Sequence, residues 1–231
     1  MNTIGLTGGI GTGKSTASKY LITKGFAHID ADAIGRELTM DGSPMLDVLN
    51  SVFGPDGEMG TGEEILDENG SLRRAVMASI VFADQDKIEH LNDIMFKAII
   101  DIIKERITSI KQSASACTNQ CGSPDTNQSV TSCTDQNSSA RPAAILIDAP
   151  LLFEAGLDEV CDYTILITAN LDTRIDRVCA RDQVAREDVE ARIRRQMSDD
   201  EKARLADYIV DNSGTHEELY AQLDKLLSQI L

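Results

Sequence analysis

The sequence contains no apolar run near the ~18 residues that a membrane-spanning helix needs; the best stretch is Ala143 to Ile147. It is poor in positive charge, with 22 Lys and Arg against 38 Asp and Glu and a net charge of −16 at pH 7. A field of that sign repels duplex nucleic acid and anionic membranes, so neither is expected as a partner unless a local basic patch exists. Met1 is followed at once by a strand pattern, which leaves no room for a secretory signal, and the five cysteines are odd in number. A disulfide scaffold is therefore not expected, and the reading is a cytoplasmic protein with reduced thiols. No internal repeat is visible. The rest is ordinary for a globular chain: 231 residues, 42% hydrophobic and 26% charged. A chain of that length buries roughly 70–75% of its unfolded surface without staples.

Strand-like runs alternate with helical patterns. Thr3 to Thr7 reads as a strand, and Ser15 to Thr23 as a helix with Ala17, Tyr20 and Leu21 on one side. Further strands are predicted at Phe26 to Asp30, Ala144 to Asp148, Tyr163 to Thr168 and Tyr208 to Asp211. The run at 144–148 is apolar on both faces, as a buried parallel strand should be. Thr215 with Glu218 forms a capping-box signal. It opens a last helix whose Leu219, Leu223, Leu226, Leu227 and Ile230 make one apolar stripe. The alternation predicts an α/β fold, a five-stranded parallel sheet flanked by helices. More than a hundred residues separate the second and third strands, and Ile88, Leu91, Met95, Ala98, Ile99, Ile102 and Arg106 keep a helical period within them.

The stretch 112–143 is of another kind. Of the 29 residues 112–140, 18 are Ser, Thr, Asn or Gln, none is Lys or Arg, and only Val130 is a large aliphatic. Such a segment buries too little apolar area to offset its ordering entropy, which predicts a mobile or irregular polar surface loop. Its Cys117, Cys121 and Cys133 lack a histidine within the segment and a fourth ligand, which argues for plain thiols over a metal site.

Gly8-Gly9-Ile10-Gly11-Thr12-Gly13-Lys14-Ser15 fits the phosphate-loop pattern, and a strand precedes it and a helix follows, as that pattern requires. Glycines let successive backbone N–H groups turn toward a phosphate, and the helix aims its positive end at the same place. Gly9, Gly11, Thr12, Gly13, Lys14, Ser15 and Thr16 are thus expected to bind a nucleotide. Lys14 would serve the outer phosphates, Ser15 would ligate Mg²⁺ and Thr16 would reach an inner phosphate. The guanine-reading Asn-Lys-x-Asp of GTPases is missing. A small chain with two helical insertions resembles the nucleotide and small-molecule kinases, in which a lid closes to exclude water. The expected organisation is a nucleotide-binding core (1–35, 144–170 and 205–231), a helical acceptor domain (36–111), the polar loop (112–143) and a lid (171–204).

Asp30 and Asp32 follow the second strand, at the sheet edge where ligands bind in open parallel sheets. Either could accept the acceptor's proton or orient its oxygen, and either could merely cap the next helix. Asp148, ending the third strand, is placed for a Mg²⁺ site or for a cap. Eight of the 13 arginines fall in 171–204, with Arg174, Arg177 and Arg181 on one helix face, suited to clamping phosphoryl oxygens. Arg194 and Arg195 are weaker candidates, because Asp188 with Arg192 and Glu190 with Arg194 are i, i+4 pairs that a solvated helix uses anyway.

With these motifs in place the sequence resembles the dephospho-CoA kinase family. The blocks that carry the likeness are Gly5 to Thr16, Ile29-Asp30-Ala31-Asp32, Asp148-Ala149-Pro150-Leu151-Leu152-Phe153-Glu154, Arg177 to Asp182 with Arg195-Gln196, and Ala206 to Gly214. They span residues 1–54 and 144–231. The resemblance implies transfer of the ATP γ-phosphate to the ribose 3′-hydroxyl of dephospho-CoA; the expected cofactor is Mg²⁺ with ATP, and the expected state a monomer or small homo-oligomer. It places the catalytic base on Asp32, with Lys14, and the lid arginines on Arg177 and Arg181. It places the adenine-side loop on Asn212 to Gly214, the acceptor side on Leu151, Leu152 and Glu154, and a substrate-domain arginine on Arg74. Phe96-Lys97 stands where the family usually has His-Pro, and Asp56 to Gly62 and the polar loop are additions. A kinase for another small alcohol or nucleoside monophosphate, or a nucleotide-binding regulatory module, are the competing readings.

Overall fold

The computed structural model describes residues 1–116 and 141–231. β1 (Thr3–Thr7), β2 (Ala27–Asp30), β3 (Ile145–Asp148), β4 (Tyr163–Thr168) and β5 (Tyr208–Asp211) form one sheet in the order β2-β3-β1-β4-β5. Every neighbouring pair is parallel. β1 and β3 are buried along their whole length, as central parallel strands covered on both faces should be, with their polar residues confined to the ends: Thr3, Thr7 and Asp148. The chain leaves β1 toward β2 and β3 on one side and reaches β4 and β5 on the other. The loop after β1 therefore lies where the strand order switches, the crevice that binds ligands in open α/β sheets. Register sharpens this: Asp148 pairs with Leu6 on one side and with Asp30 on the other, so three strands end at one edge.

The helices bury the sheet from both faces. On one face α1 (Lys14–Thr23) and α9 (His216–Ile230) pack Ala17, Leu21, Leu219, Leu223 and Leu227 onto Ile4, Leu6 and Leu146. The stripe foreseen for the last helix is the buried one, and both hydrogen bonds of the Thr215–Glu218 capping box are made. On the other face α2 (Ala31–Leu38) and the distal part of α5 (Gln85–Ala116) bring Ile34, Ile103 and Ile107 onto Ile145 and Ile147. The proximal part of α5 joins α3 (Pro44–Phe53) and α4 (Arg74–Val81) in a separate core around Leu49, Phe53, Ile65, Met77 and Ile80. α6 (Leu171–Asp182), α7 (Arg186–Arg194) and α8 (Asp199–Leu205) follow β4, with Ile175, Val178 and Val189 as a small core of their own.

α5 continues to Ala116, so residues 112–116 are helical and not the start of an irregular loop. Ala114 is buried there and anchors the last turns, while Ser113 turns its hydroxyl onto the Ser109 carbonyl, a bond a helix tolerates. The rest of the polar stretch, with Cys117, Cys121 and Cys133, lies outside the described residues. Among the described residues no helix is long and apolar enough to cross a membrane.

Candidate active site

The phosphate loop runs from the end of β1 into α1, with Gly13 as N-cap at φ 88°, in the left-handed region. A Cβ on Gly13 would lie 2.1 Å from the Asn212 amide nitrogen, so the position is closed to larger residues on two grounds. A cavity of about 500 Å³ opens over the loop, and Gly9, Gly11, Gly13, Lys14, Ser15 and Thr16 face it. Thr12 does not. It is fully buried, and its hydroxyl donates to the Gly9 carbonyl at 2.9 Å. Asn212, also buried, donates its amide to the Thr12 carbonyl at 2.8 Å. These two shape the loop from behind and do not line its cavity, and Gly214 is exposed on the turn after β5.

Three acids gather at the strand ends, each differently engaged. Asp148 forms an ion pair with Lys14, and its second oxygen lies 3.5 Å from the His28 ring. Asp30 is the N-cap of α2, accepting from the Ala33 N–H at 2.9 Å, so of its two sequence readings the cap is the one realised. Asp32, in the first turn of α2, has no such bond among the hydrogen bonds described and points to the cleft. Burial pushes its carboxyl above the ordinary aspartate value; the Lys14 cation opposes that rise and the Asp30 charge adds to it. The carboxylate reaches solvent, yet the cleft walls thin its hydration enough to disfavour the charge.

The lid helices meet the loop through side chains that the arginine pattern did not separate. Arg174, only 5% exposed, donates Nε to the Ile10 carbonyl at 2.9 Å and pairs Nη1 with Asp199 at 2.6 Å. The Ile10 N–H in turn donates to the Gln196 side-chain oxygen at 3.0 Å. Both backbone polar groups of Ile10 are thus held by the lid. Arg174 is therefore a brace of the loop and not a member of a free cationic face. Arg177 and Arg181 do line the loop cavity. Arg177 carries a buried Nη1 with no hydrogen-bond partner, and Arg181 forms a two-point bond with Asp182 at 2.6 and 2.9 Å. That bond raises the guanidinium's pKa further and lowers that of the Asp182 carboxyl. Arg194 and Arg195 line neither cavity of the site; Arg194 makes the expected contact with Glu190 at 3.8 Å, whereas Arg192 turns to Asp182.

A second cavity, about 350 Å³, lies between α2, α5 and the turn after β3. Asp32 and Pro150 line both cavities, so the two meet at this carboxylate. Arg36, Thr39, Arg74, Phe96 and Leu151 form further walls. Two residues expected on this side are elsewhere. Leu152 is fully buried, its methyls within about 3 Å of where a Cβ on Gly5 would stand, and it has no surface to offer a ligand. Glu154 faces Lys202 of α8, whose Nζ is 2.9 Å from one carboxylate oxygen and donates to the Pro150 carbonyl at 2.8 Å. Lys202 is 1% exposed, and nothing in a charged helix marks one lysine for burial. Arg174, Gln196 and Lys202 are the site's supporting residues that residue patterning alone misassigned or passed over.

The chain is similar to known proteins over nearly its whole length. The family model described as dephospho-CoA kinase matches residues 2–121 and 117–218. A dephospho-CoA kinase of Fusobacterium nucleatum is 31% identical over 227 residues, covering 98% of this chain and 97% of its own. One from Corynebacterium diphtheriae is 34% identical over 219 residues, covering 95% and 92%. A crystal structure from Thermus thermophilus matches with a TM-score of 0.70 at 25% identity, over 100% of this chain and 98% of the other. The fold is also that of the dephospho-CoA kinase from Campylobacter jejuni, with a TM-score of 0.55 at 20% identity over 99% and 97%.

Proposed function

The chain belongs to the dephospho-CoA kinase family, which consists of ATP-dependent transferases, and from that premise we propose how its residues divide the reaction. The ATP phosphates lie in the loop after β1 and the acceptor's ribose lies in the cavity under α2. The 3′-hydroxyl stands at Asp32. The observation that carries this reading is that Asp32 lines both cavities and is free of the capping bond that occupies Asp30. A phosphoryl transition state is loose, so the carboxylate's first task is to orient the hydroxyl; it then takes the proton as the P–O bond forms. Asp32 must be ionised for this, and the Lys14 cation helps to keep it so.

Lys14 gives up Asp148 for the outer phosphates when the nucleotide binds. Arg177 contributes its buried, unpartnered guanidinium nitrogen, and Arg181 joins it from the next turn of α6. Ser15 and Asp148 supply hard oxygen donors at the loop, and Mg²⁺ takes one or two protein oxygens beside phosphate oxygens, so these residues fit the ion and would hold it. There it would neutralise phosphate charge. On the acceptor side, Arg74 opens α4, a helix with no acidic residue in its first turn. A cation at the positive end of a helix is unfavourable alone and becomes favourable once an anion binds beside it, which suits the acceptor's diphosphate. Residues 36–111 thus form the acceptor domain and 171–204 the lid. Leu151 is an acceptor wall, while Glu154 serves that wall indirectly by holding Lys202 against Pro150.

The test is release of ADP from Mg·ATP with dephospho-CoA, and with AMP, CMP and shikimate as other acceptors. Release with dephospho-CoA alone is expected. Release with another acceptor alone would keep the kinase and reject the acceptor assignment. ATP binding without release by any of them would leave the regulatory-module reading.

A further inference from the structure

A third cavity, about 230 Å³, lies inside the acceptor domain between α3, α4 and α5. Its walls are mostly apolar: Leu49, Leu72, Met77, Val81, Leu91 and Met95. Phe82 also lines it and is 75% exposed, the most exposed large hydrophobic among the described residues. A single exposed aromatic needs no explanation; one that forms the lip of an apolar hollow enlarges the surface that a ligand could cover. The hollow adjoins the acceptor cavity. Thr39 and Arg74 line both, and the Arg74 guanidinium donates to the Thr39 carbonyl and hydroxyl at 3.1 and 3.2 Å, forming a sill between them. On α5 the consecutive residues Met95 and Phe96 face the two cavities, Met95 the inner hollow and Phe96 the acceptor side. Among the described residues Arg74 has no carboxylate partner within ion-pair distance.

We propose that this hollow is the binding site for the acceptor's pantetheine arm, which passes over the Arg74–Thr39 sill and ends with its thiol among the methionines of the acceptor domain. The inference rests on the acceptor assignment above and extends it to a part of the acceptor that does not react. Its chemistry matches that arm. Beyond the diphosphate the acceptor carries a gem-dimethyl group, a hydroxyl, two amides and a thiol: a long, uncharged chain with apolar stretches between its polar groups. Such a chain gains from an apolar groove lined by adaptable thioethers and needs a cation only where the diphosphate begins. Arg74 is at that point. Joined, the two cavities reach the ~300–1,000 Å³ typical of sites that enclose a ligand of this size.

Binding energy from a part of the substrate remote from the chemistry holds the reacting hydroxyl in place. The experiment uses the full chain and 4′-phosphopantetheine, which carries the arm without the adenosine. Initial rates of ADP release are measured against dephospho-CoA and, separately, against ATP. The expected result is competition with dephospho-CoA and no competition with ATP. Ala78 lies on α4 in the wall of the hollow, and Ala78→Trp should fill it. That variant is expected to raise the KM for dephospho-CoA at least tenfold and to abolish inhibition by 4′-phosphopantetheine. The wild-type competition does not depend on the variant folding. Turnover of dephospho-CoA with no competition from 4′-phosphopantetheine, at concentrations far above the dephospho-CoA KM, would overturn the arm site and leave the kinase intact. Competition that persists unchanged in a folded Ala78→Trp protein would place the arm elsewhere. Failure to turn over dephospho-CoA at all would instead remove the acceptor assignment, and the arm site with it.

Discussion

Lys202 offers the sharpest perturbation of the lid's attachment. Its ammonium is buried, 2.9 Å from Glu154 and 2.8 Å from the Pro150 carbonyl. Both Glu154 oxygens are buried and neither is in a well-aligned hydrogen bond, so the attraction of Lys202 is what compensates that carboxylate for lost water. Lys202→Met keeps the stem's packing and strands the charge. Breaking one side of a buried pair costs about 3–5 kcal/mol, and about 3 is taken here as the lower bound. At about 2–4 °C per kcal/mol for a chain of this size, Tm should fall by roughly 6–12 °C. Glu154→Gln removes the charge, keeps an acceptor for the ammonium, and should cost less. The double variant should be more stable than the two single costs predict, with a coupling of at least about 1.5 kcal/mol. Urea unfolding of the four proteins measures the cycle, and ADP release measures the consequence. If α8 is tethered this way, both single variants should lower turnover together. Additivity within about 0.5 kcal/mol would refute the coupling. A rise in the dephospho-CoA KM for Glu154→Gln alone, with Lys202→Met normal, would put Glu154 on the acceptor instead.

The remaining predictions concern the catalytic edge and the loop brace. Asp32→Asn should lower turnover by roughly 10²–10⁴-fold in the ADP-release assay, the span for loss of a general base; near-normal turnover would remove the assignment. The acid limb of kcat/KM should have its midpoint above 3.8, because burial raises the Asp32 carboxyl, and Lys14→Met should move it higher in whatever activity remains, by removing the charge that opposes the rise. The same shift acts on stability. A carboxyl that holds its proton more tightly when folded detracts from stability above its folded pKa, and that loss is absent below its ordinary value. Asp32→Asn should therefore be at least as stable as the parent to urea at pH 7, and clearly weaker unfolding resistance would contradict the cause given. Arg174→Met should raise the KM for ATP about tenfold, since a bond from a charged donor to the Ile10 carbonyl is worth about 1.5–3 kcal/mol. Arg174→Lys should not restore it, as one ammonium cannot span Ile10 and Asp199 as the guanidinium fork does. An unchanged KM with a lower Tm would make Arg174 structural only.

The sheet was legible because its signals are local. A strand buried on both faces must be apolar along its body, and 145–147 is, with Asp148 only at its end. A phosphate loop keeps its glycines, lysine and serine within one stretch of eight residues, and a capping box needs two residues three apart, as at Thr215 and Glu218. Asp30 and Asp32 mark the limit of such signals. A cap and a catalytic acid can be the same residue type at the same end of a strand, and only the direction of each side chain separates them. The arginines of α6 show the limit again. Arg174, Arg177 and Arg181 share a face, which the i, i+3, i+7 spacing reveals. That spacing also carries a rise of about 10 Å from first to last, at 1.5 Å per residue. The first therefore abuts the phosphate loop and is consumed in bracing it, while the last sits near the helix end, 63% exposed, and is held by the neighbouring Asp182.

What could not be read is where distant segments satisfy one another. Ile10 finds its partners at Arg174 and Gln196, Thr12 at Asn212, and Pro150 at Lys202. Each of these joins a loop backbone group to a side chain far along the chain, and nothing near either residue encodes the match. Buried backbone groups must be paired, so some partner was certain to exist. Its identity depends on the sheet order, which places β4, β5 and the lid beside the loop after β1. Three of these four side chains, Arg174, Gln196 and Lys202, come from the lid. Motion of that segment and the shape of the phosphate loop are consequently one mechanical problem: the lid cannot swing as a free body without releasing Ile10. The bonds that a closing motion must keep are those of Arg174 and Gln196, and the group left for the ligand to engage is the unpartnered nitrogen of Arg177.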